Sequence, residues 1–478
     1  MKYLFISFLL FSNSVSASTA KDSKNNFTYF LKQMLRKNGT YLGVFLKKNA
    51  SIERLSGTFG LYMPSLTAGI SKDRSEGEFS LDKQESRTEG LTLQGSIPQL
   101  GLNYSSLIYS ETKTISPSPS FYTGNFNYSL EFNLLKDFGP RVGYIPFDLA
   151  KNNRDLAQYE LIKVVFNQFN QLLSAYTTAS ASQRNLKINE ESLIHTEKEL
   201  KRYEDLFRVG KIPKLSLLAI ESQYQQLKSQ IISQEKNLRD SFVNLYSLAS
   251  IDQEINYNQE LLPLPELFNE EEIKKLISNP LDFEKLKNPD LLMTKKNLEN
   301  SKLNLKLSEN NVYPSLTLEY TSNGEQTLTD RRSSLFPSRA RGETIAVNFS
   351  MPLGLITERR ELAANRNEFK ADQLNLEQLK RELFLLWRNL VEQYGLTIKQ
   401  LDLAKNLVKA NKDKFDASIP TGQLGPTYQQ TIISYQNEWV SAQINLNQIE
   451  IELLGLQLSI LSFHADDHLI EVLNRLSK

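Results

Sequence analysis

The chain is 478 residues long, holds no cysteine, and sets 56 Lys plus Arg against 55 Asp plus Glu. The missing thiol excludes disulfides, thiolate nucleophiles, zinc knuckles and a cysteine-borne acyl anchor, and the near-neutral balance argues against nucleic acid held on a basic face. A length that ordinarily splits into two or three domains is filled here by two copies of one plan.

Residues 1–17 read as a secretory signal: Lys2, the apolar run YLFISFLLF, then the small-residue site Val15-Ser16-Ala17. No later window approaches the roughly 18 to 20 apolar residues that a membrane helix needs, so helical spans are excluded. N-terminal helices are expected over 18–56. At Pro64, in YMPSLTAGISKD, the apolar period changes from about 3.6 to 2. The strand zone 57–139 then holds PSLTAGIS, an extra hairpin over about 89–124, and a return strand. The hairpin is GLTLQGSI, a Pro98-Gln99-Leu100-Gly101 turn and LNYSSLIYSE; in the return strand YSLEFNL, Leu130, Phe132 and Leu134 oppose Ser129, Glu131 and Asn133. Gly139-Pro140 ends this zone.

A long helical hairpin is expected over 140–250, with Ile188, Leu193, Leu200, Tyr203 and Leu206 as its apolar seam and a tip near Gly210 in RVGKIPKLS. After a linker (251–287) and an entry helix (288–313), Pro314 repeats the letters PSLT and opens a second strand zone, 314–354. There Leu316, Leu318 and Tyr320 oppose Thr317, Glu319 and Thr321, and Ile345, Val347, Phe349 and Met351 oppose Ala346, Asn348 and Ser350. A second hairpin over 355–460 turns near Gly422 in ASIPTGQLGPTY, and 461–478 is a tail.

Helical runs of roughly 60 to 70 residues make rods of about 90 to 100 Å. Rods that long and that polar do not fit a slab of about 30 Å, so they stand in water. The strands do fit it. They are apolar on one face, polar or small on the other, with aromatics near their ends (Tyr62, Tyr104, Tyr109, Phe126, Tyr128, Tyr320), as outer-membrane barrels require. Between four and six strands are too few to close a barrel, and an open edge in lipid costs several kcal/mol for each unpaired backbone group. Closure therefore needs several chains, and by the same symmetry the helices form a second tube.

The order helix, YPSLTL strand, loop, strand, long helix, V-G break followed by LLA-x4-Y, return helix, all of it twice, resembles the outer-membrane efflux proteins, the TolC family of trimeric channel-tunnels. The resemblance covers essentially the whole mature chain. Its most specific pieces are NPDLLMTKKNLENSKLNLKLSENNVYPSLTLEY and FRVGKIPKLSLLAIESQY, where Gly210 and Tyr224 keep the family's spacing. The extra hairpin and the ending FNLLKDFG resemble a long-strand branch. The resemblance implies a mainly α protomer with membrane β-strands: long coiled-coil hairpins forming an α-barrel in the periplasm, and four to six strands given to a shared trimeric β-barrel in the outer membrane. It implies a homotrimer docked through its helical tips onto a periplasmic adaptor (membrane fusion) protein and an inner-membrane pump. Such a duct serves tripartite efflux or type I secretion; it is not an enzyme and takes no cofactor. Cargo, pump and resting gate stay unassigned.

The residues expected at the periplasmic entrance are Gly210, Lys211 and Pro213 at the first tip and Gly422, Gly425, Tyr428 and Thr431 at the second. Plain turn chemistry explains the glycines and prolines equally well. Some family members ring this entrance with acidic side chains, but the matching positions here are Tyr428 and Thr431, so that ring does not carry over; aromatic narrowing at Tyr428 takes its place as an expectation. Lys405, Lys409, Lys412 and Lys414 make a basic run that reads first as a solvated face and second as an adaptor or anion contact. HADDH, His464 to His468, has a zinc-compatible spacing, yet Ala465 stands where a general base would, and a solvated tail is the simpler reading. His195 reads as a surface residue. The rival reading from another class is a non-conducting periplasmic coiled-coil scaffold. Such a scaffold has no reason to make its strands one-sided four times over.

Overall fold

A computed structural model describes residues 26–76, 83–114, 121–262, 270–278, 282, 286–328, 341–351, 354–418 and 426–464. Helices α1 (Phe27–Lys37) and α2 (Gly39–Thr58) lead through a short 3-10 turn into β1 (Ser65–Glu76), β2 (Lys83–Ile97), β3 (Leu102–Thr114) and β4 (Phe121–Asn133). The first helical hairpin, α3 (Ile145–Arg208) and α4 (Lys214–Leu248), is followed by α5 (Glu270–Ser278) and α6 (Pro289–Asn311). Strands β5 (Ser315–Leu328) and β6 (Arg341–Ser350) precede the second hairpin, α7 (Ile356–Ser418) and α8 (Pro426–His464). Long helical hairpins joined to antiparallel strands are the fold class that the sequence pattern predicts. The described residues fall into two compact units, one made of 43–163 and 287–384, the other of the rest.

In the first unit the six described strands form one sheet in the order β1-β2-β3-β4-β5-β6, each neighbour antiparallel. Two glycines on the sheet lie directly opposite aromatic rings: Gly95 pairs with Tyr104 and Gly324 with Phe126, and each ring lies over the bare glycine backbone. Any side chain at those glycines would collide with the ring, so the pairs pin the register. Ile108 is an extra residue in β3, where the register to both neighbours shifts, and such bulges bend a sheet.

Local chemistry fixes where strand meets helix. The Asn288 side chain accepts the backbone N–H groups of Asp290 (3.0 Å) and Leu291 (3.3 Å). Pro289 opens α6 where a missing N–H costs nothing, and Asp290 sits at the positive end of the helix dipole. At its other end, buried Asn310 donates from Nδ2 to Asp137 Oδ1 (2.6 Å) and accepts the Asp137 N–H (3.0 Å). That double bond holds Asp137 at φ 59°, a conformation that costs a non-glycine residue about 1 kcal/mol, so the chain leaving β4 is tied to the helix that feeds β5.

In the second unit the core is aromatic. Asn26 caps α1, which buries Phe27, Phe30, Leu31 and Met34 along one stripe. The ring of Phe27 meets Phe169 and Tyr176 of α3 edge-on, with centroids 5.7 and 5.5 Å apart. Each such side chain contributes about 1.5–3 kcal/mol by leaving water. Between α3 and α8 the seam is polar: Asn447 donates to Asn185 (2.8 Å), and Gln436 donates to the Ser192 hydroxyl (2.8 Å) and carbonyl (3.1 Å).

Candidate functional site

Two places carry surfaces that the packing alone does not explain: the faces and edges of the sheet, and the tip of the first helical hairpin.

The pairing register sorts the sheet into two faces. One carries Leu66 and Ile70 of β1, Leu91, Leu93 and Ile97 of β2, Leu102 and Tyr104 of β3, and Tyr128, Leu130 and Phe132 of β4. It continues through Leu316, Leu318 and Tyr320 of β5 to Ile345, Val347 and Phe349 of β6. The other carries mostly Ser, Thr, Asn and Gln, together with Glu131 and Glu319. The apolar face is uncovered: Ile345, Val347 and Phe349 keep 74%, 64% and 64% of their surface exposed. Toward the strand ends remote from the helices the same face turns charged, with Arg87 bonded to Glu89 at 2.8 Å and the Lys113 ammonium 5.5 Å from the centre of the Tyr122 ring. An apolar band bounded by charge and aromatic rings is what a strand facing lipid presents. Both outer strands, β1 and β6, leave one side without a strand partner among the described residues.

At the hairpin tip α3 ends in a Schellman motif. Gly210 takes φ 69°, its N–H reaches the Phe207 carbonyl (2.9 Å), and the Lys211 N–H reaches the Leu206 carbonyl (2.9 Å). Pro213 is the cap residue of α4, its carbonyl accepting the Ser216 N–H at 3.0 Å. Beneath the turn, Tyr203, Ile212 and Ile220 form a buried cluster with Leu200, Leu206, Leu217 and Ile433 packed on it. Burial pushes the Tyr203 phenol up to about 12. Its hydroxyl has no hydrogen-bond partner among the described residues, and the Tyr203 side chain lines a cavity of about 120 Å³ with Ser216, Ala219, Ile220, Gln223 and Ile433, roomy enough for water. Outside the turn, Leu215 is 78% exposed, and Phe207, Val209 and Leu218 are exposed with it.

The structure brings Gly210, Lys211 and Pro213 into one turn. Thr431 lies in α8, two positions before the Ile433 that packs under that turn. Gly422 and Gly425 lie outside the described residues, as does the side chain of Tyr428; of HADDH only His464 lies within them. In the basic run, Lys405, Lys409 and Lys412 are exposed, and Lys414 bonds Glu438 of α8 at 2.7 Å while lying 3.9 Å from the centre of the Tyr435 ring. The Lys414 contact holds the Glu438 carboxyl below the usual range. His195 is exposed, its ring edge-on to Phe415. Among the described residues no group of three or more His, Asp or Glu could hold a metal ion, and no helix is long and apolar enough to cross a membrane.

Residues 89–250, from β2 through the first helical hairpin, match the family described as outer membrane efflux protein. No curated protein sequence matches the chain. Among solved structures, the outer-membrane channel OprN aligns with a TM-score of 0.67 at 15% identity, over 92% of this chain and 90% of that one. The Campylobacter jejuni CmeC outer membrane channel aligns at 0.65 and 13% identity, over 95% and 89%. The open state of the Neisseria gonorrhoeae MtrE outer membrane channel aligns at 0.64 and 12% identity, over 92% and 89%. These likenesses establish the fold along nearly the whole chain. The family match covers residues 89–250, and beyond that segment the likeness to these outer-membrane channels is one of fold.

Proposed function

We propose that the chain is one subunit of a homotrimeric channel-tunnel that conducts cargo across the outer membrane from a periplasmic adaptor and an inner-membrane pump, as in tripartite efflux or type I secretion. The observation that carries this reading is the one-sided sheet whose two edges have no strand partner among the described residues: an exposed apolar face beside a polar face bearing Glu131 and Glu319. Lipid against the first face, water against the second, and copies of the chain at the edges satisfy every backbone and side-chain group at once. The long polar helices then stand in the periplasm. Their exposed tip residues Val209, Leu215 and Leu218 offer the adaptor an apolar foothold. The duct is passive, and direction comes from the pump.

Reconstitution of the purified protein into planar lipid bilayers tests the reading. Discrete conductance steps are expected, together with a trimer in detergent. A non-conducting scaffold would give no steps and would wash from outer membranes at alkaline pH.

A further inference from the structure

The β2–β3 hairpin is part of the wall and not an appendage. It lies inside the strand order, between β1 and β4. One ladder runs from Ser65 opposite Gln94 to Glu76 opposite Lys83, and another from Leu102 opposite Phe132 to Thr114 opposite Phe121. Its residues keep the two-face rule of their neighbours, Leu93 beside Leu66 and Tyr104 beside Leu130 on the apolar side. Its turn is anchored at the helical end of the sheet. Gly101, at φ 63°, accepts the Asn133 N–H at 2.8 Å, and a Cβ placed on Gly143 would lie 2.5 Å from Pro98 Cβ. Removing the hairpin from the wall would break two ladders and expose four strand edges.

An even number of antiparallel strands also sets how copies meet. β1 and β6 run in opposite directions, so β6 of one copy pairs with β1 of the next in the favoured antiparallel sense, and rotation closes the ring. Both edge strands carry exposed apolar residues on the same face, Leu66 and Ile70 on β1 and Ile345, Val347 and Phe349 on β6, so the apolar band runs on across the joint.

The geometry points to a barrel of eighteen strands, six from each of three copies, closed by β6 of each copy on β1 of the next, with a lumen wide enough for bulky cargo. This rests on the trimeric duct proposed above. With strands about 4.8 Å apart and tilted about 40°, eighteen strands span about 35 Å between backbones, against about 24 Å for twelve. Side chains leave roughly 25 Å free, about twice the width of an α-helix with its side chains. The barrel therefore admits a polypeptide carrying helical structure, and does not filter cargo down to small solutes.

The test is a single-particle map of the full-length protein from outer membranes, paired with disulfide trapping in this cysteine-free chain. Eighteen strands are expected, with Thr67→Cys/Thr92→Cys, direct partners on the polar face, closing a disulfide. Thr67→Cys/Asn127→Cys should stay open, because three strand spacings, about 14 Å, separate those positions. A trimer with twelve strands, and closure of the Thr67/Asn127 pair, would overturn the inference and leave the trimeric duct standing. A twelve-stranded dimer would overturn both the inference and the trimer. Particles with no barrel would remove the duct reading, and this inference with it.

Discussion

Glu131 and Glu319 stand directly opposite each other across β4 and β5, on the polar face of the sheet. Glu319 accepts hydrogen bonds from Asn348 Nδ2 (3.1 Å) and Thr321 Oγ1 (3.4 Å). Like charges placed opposite each other in a sheet cost up to about 1 kcal/mol where water screens them, and far more where lipid surrounds them. The pairing is cheap only if this face is wet.

In the proposed trimer three copies would bring these carboxylates to one level of the lumen, so the open channel should prefer cations. Replacing both, Glu131→Gln with Glu319→Gln, should lower the cation-over-anion permeability ratio about two- to fivefold near 0.1 M salt, with the difference fading near 1 M as screening shortens. Reversal potentials across a salt gradient measure this. An unchanged ratio would place the carboxylates off the conduction path.

The exposed tip residue Leu215 makes no contribution to the buried cluster of Tyr203, Ile212 and Ile220. Leu215→Asp should therefore leave trimer stability within about 0.5 kcal/mol and leave bilayer conductance unchanged, while export in cells falls by tenfold or more. Parallel conductance and export assays check the split. Normal export would remove this tip from the docking surface.

Tyr203 stands 2% exposed and lines the cavity at the tip. Tyr203→Phe should change stability by less than about 1 kcal/mol, since no hydrogen bond to a described residue is lost, whereas Tyr203→Ala should cost about 3–5 kcal/mol by emptying the cluster. Burial raises this phenol from its ordinary 10.0 to about 12. The folded state thus favours the neutral form; its advantage is whole below pH 10.0 and is lost as pH rises toward about 12. Melting curves should show that alkaline loss in the wild type and a smaller one in Tyr203→Phe.

The pair Lys414 and Glu438 joins α7 to α8, and the folded carboxyl titrates below its ordinary value. A depressed carboxyl stabilises above the unfolded-state pKa, and that contribution disappears as pH falls through the folded value. Lys414→Met should melt lower than the wild type at neutral pH, and the two melting curves should converge as Glu438 becomes protonated in acid. A difference that persists at full protonation would assign it to the ammonium's packing on Tyr435 instead.

Much of this fold is legible in the sequence, because its two periods are physically distinct. Pro314 interrupts a helical pattern, and Leu316, Leu318 and Tyr320 then alternate with Thr317, Glu319 and Thr321 on opposite faces. The register makes Leu318 the partner of Val347 and Phe132 the partner of Leu318, so the one-sided runs share one face. The sequence leaves the strand count open at four to six, because alternation in GLTLQGSI and LNYSSLIYSE is the same whether a hairpin lies in a wall or outside it. Ile108 illustrates the limit of simple alternation: period 2 continues the apolar side from Leu102 and Tyr104 to Ile108, but the bulge there resets the phase. At the tip, the Gly210 break is readable from its residue type, whereas the cavity behind Tyr203 depends on Ile433 of a helix far along the chain. The seam of Asn185 with Asn447 and Ser192 with Gln436 is invisible to hydropathy, since small polar residues that bury against one another look like surface.

Cysteine scanning of β6 in native outer membranes distinguishes a lipid-facing sheet from one standing wholly in water, since the chain supplies no cysteine of its own. Single cysteines from Thr344 to Ser350 would be reacted with a charged, membrane-impermeant maleimide. Strict alternation is expected, with Thr344, Ala346, Asn348 and Ser350 labelled from the water-filled lumen and Ile345, Val347 and Phe349 protected by lipid. Uniform labelling along the strand would contradict it, because the apolar face would then stand in water and the sheet would not be a barrel wall.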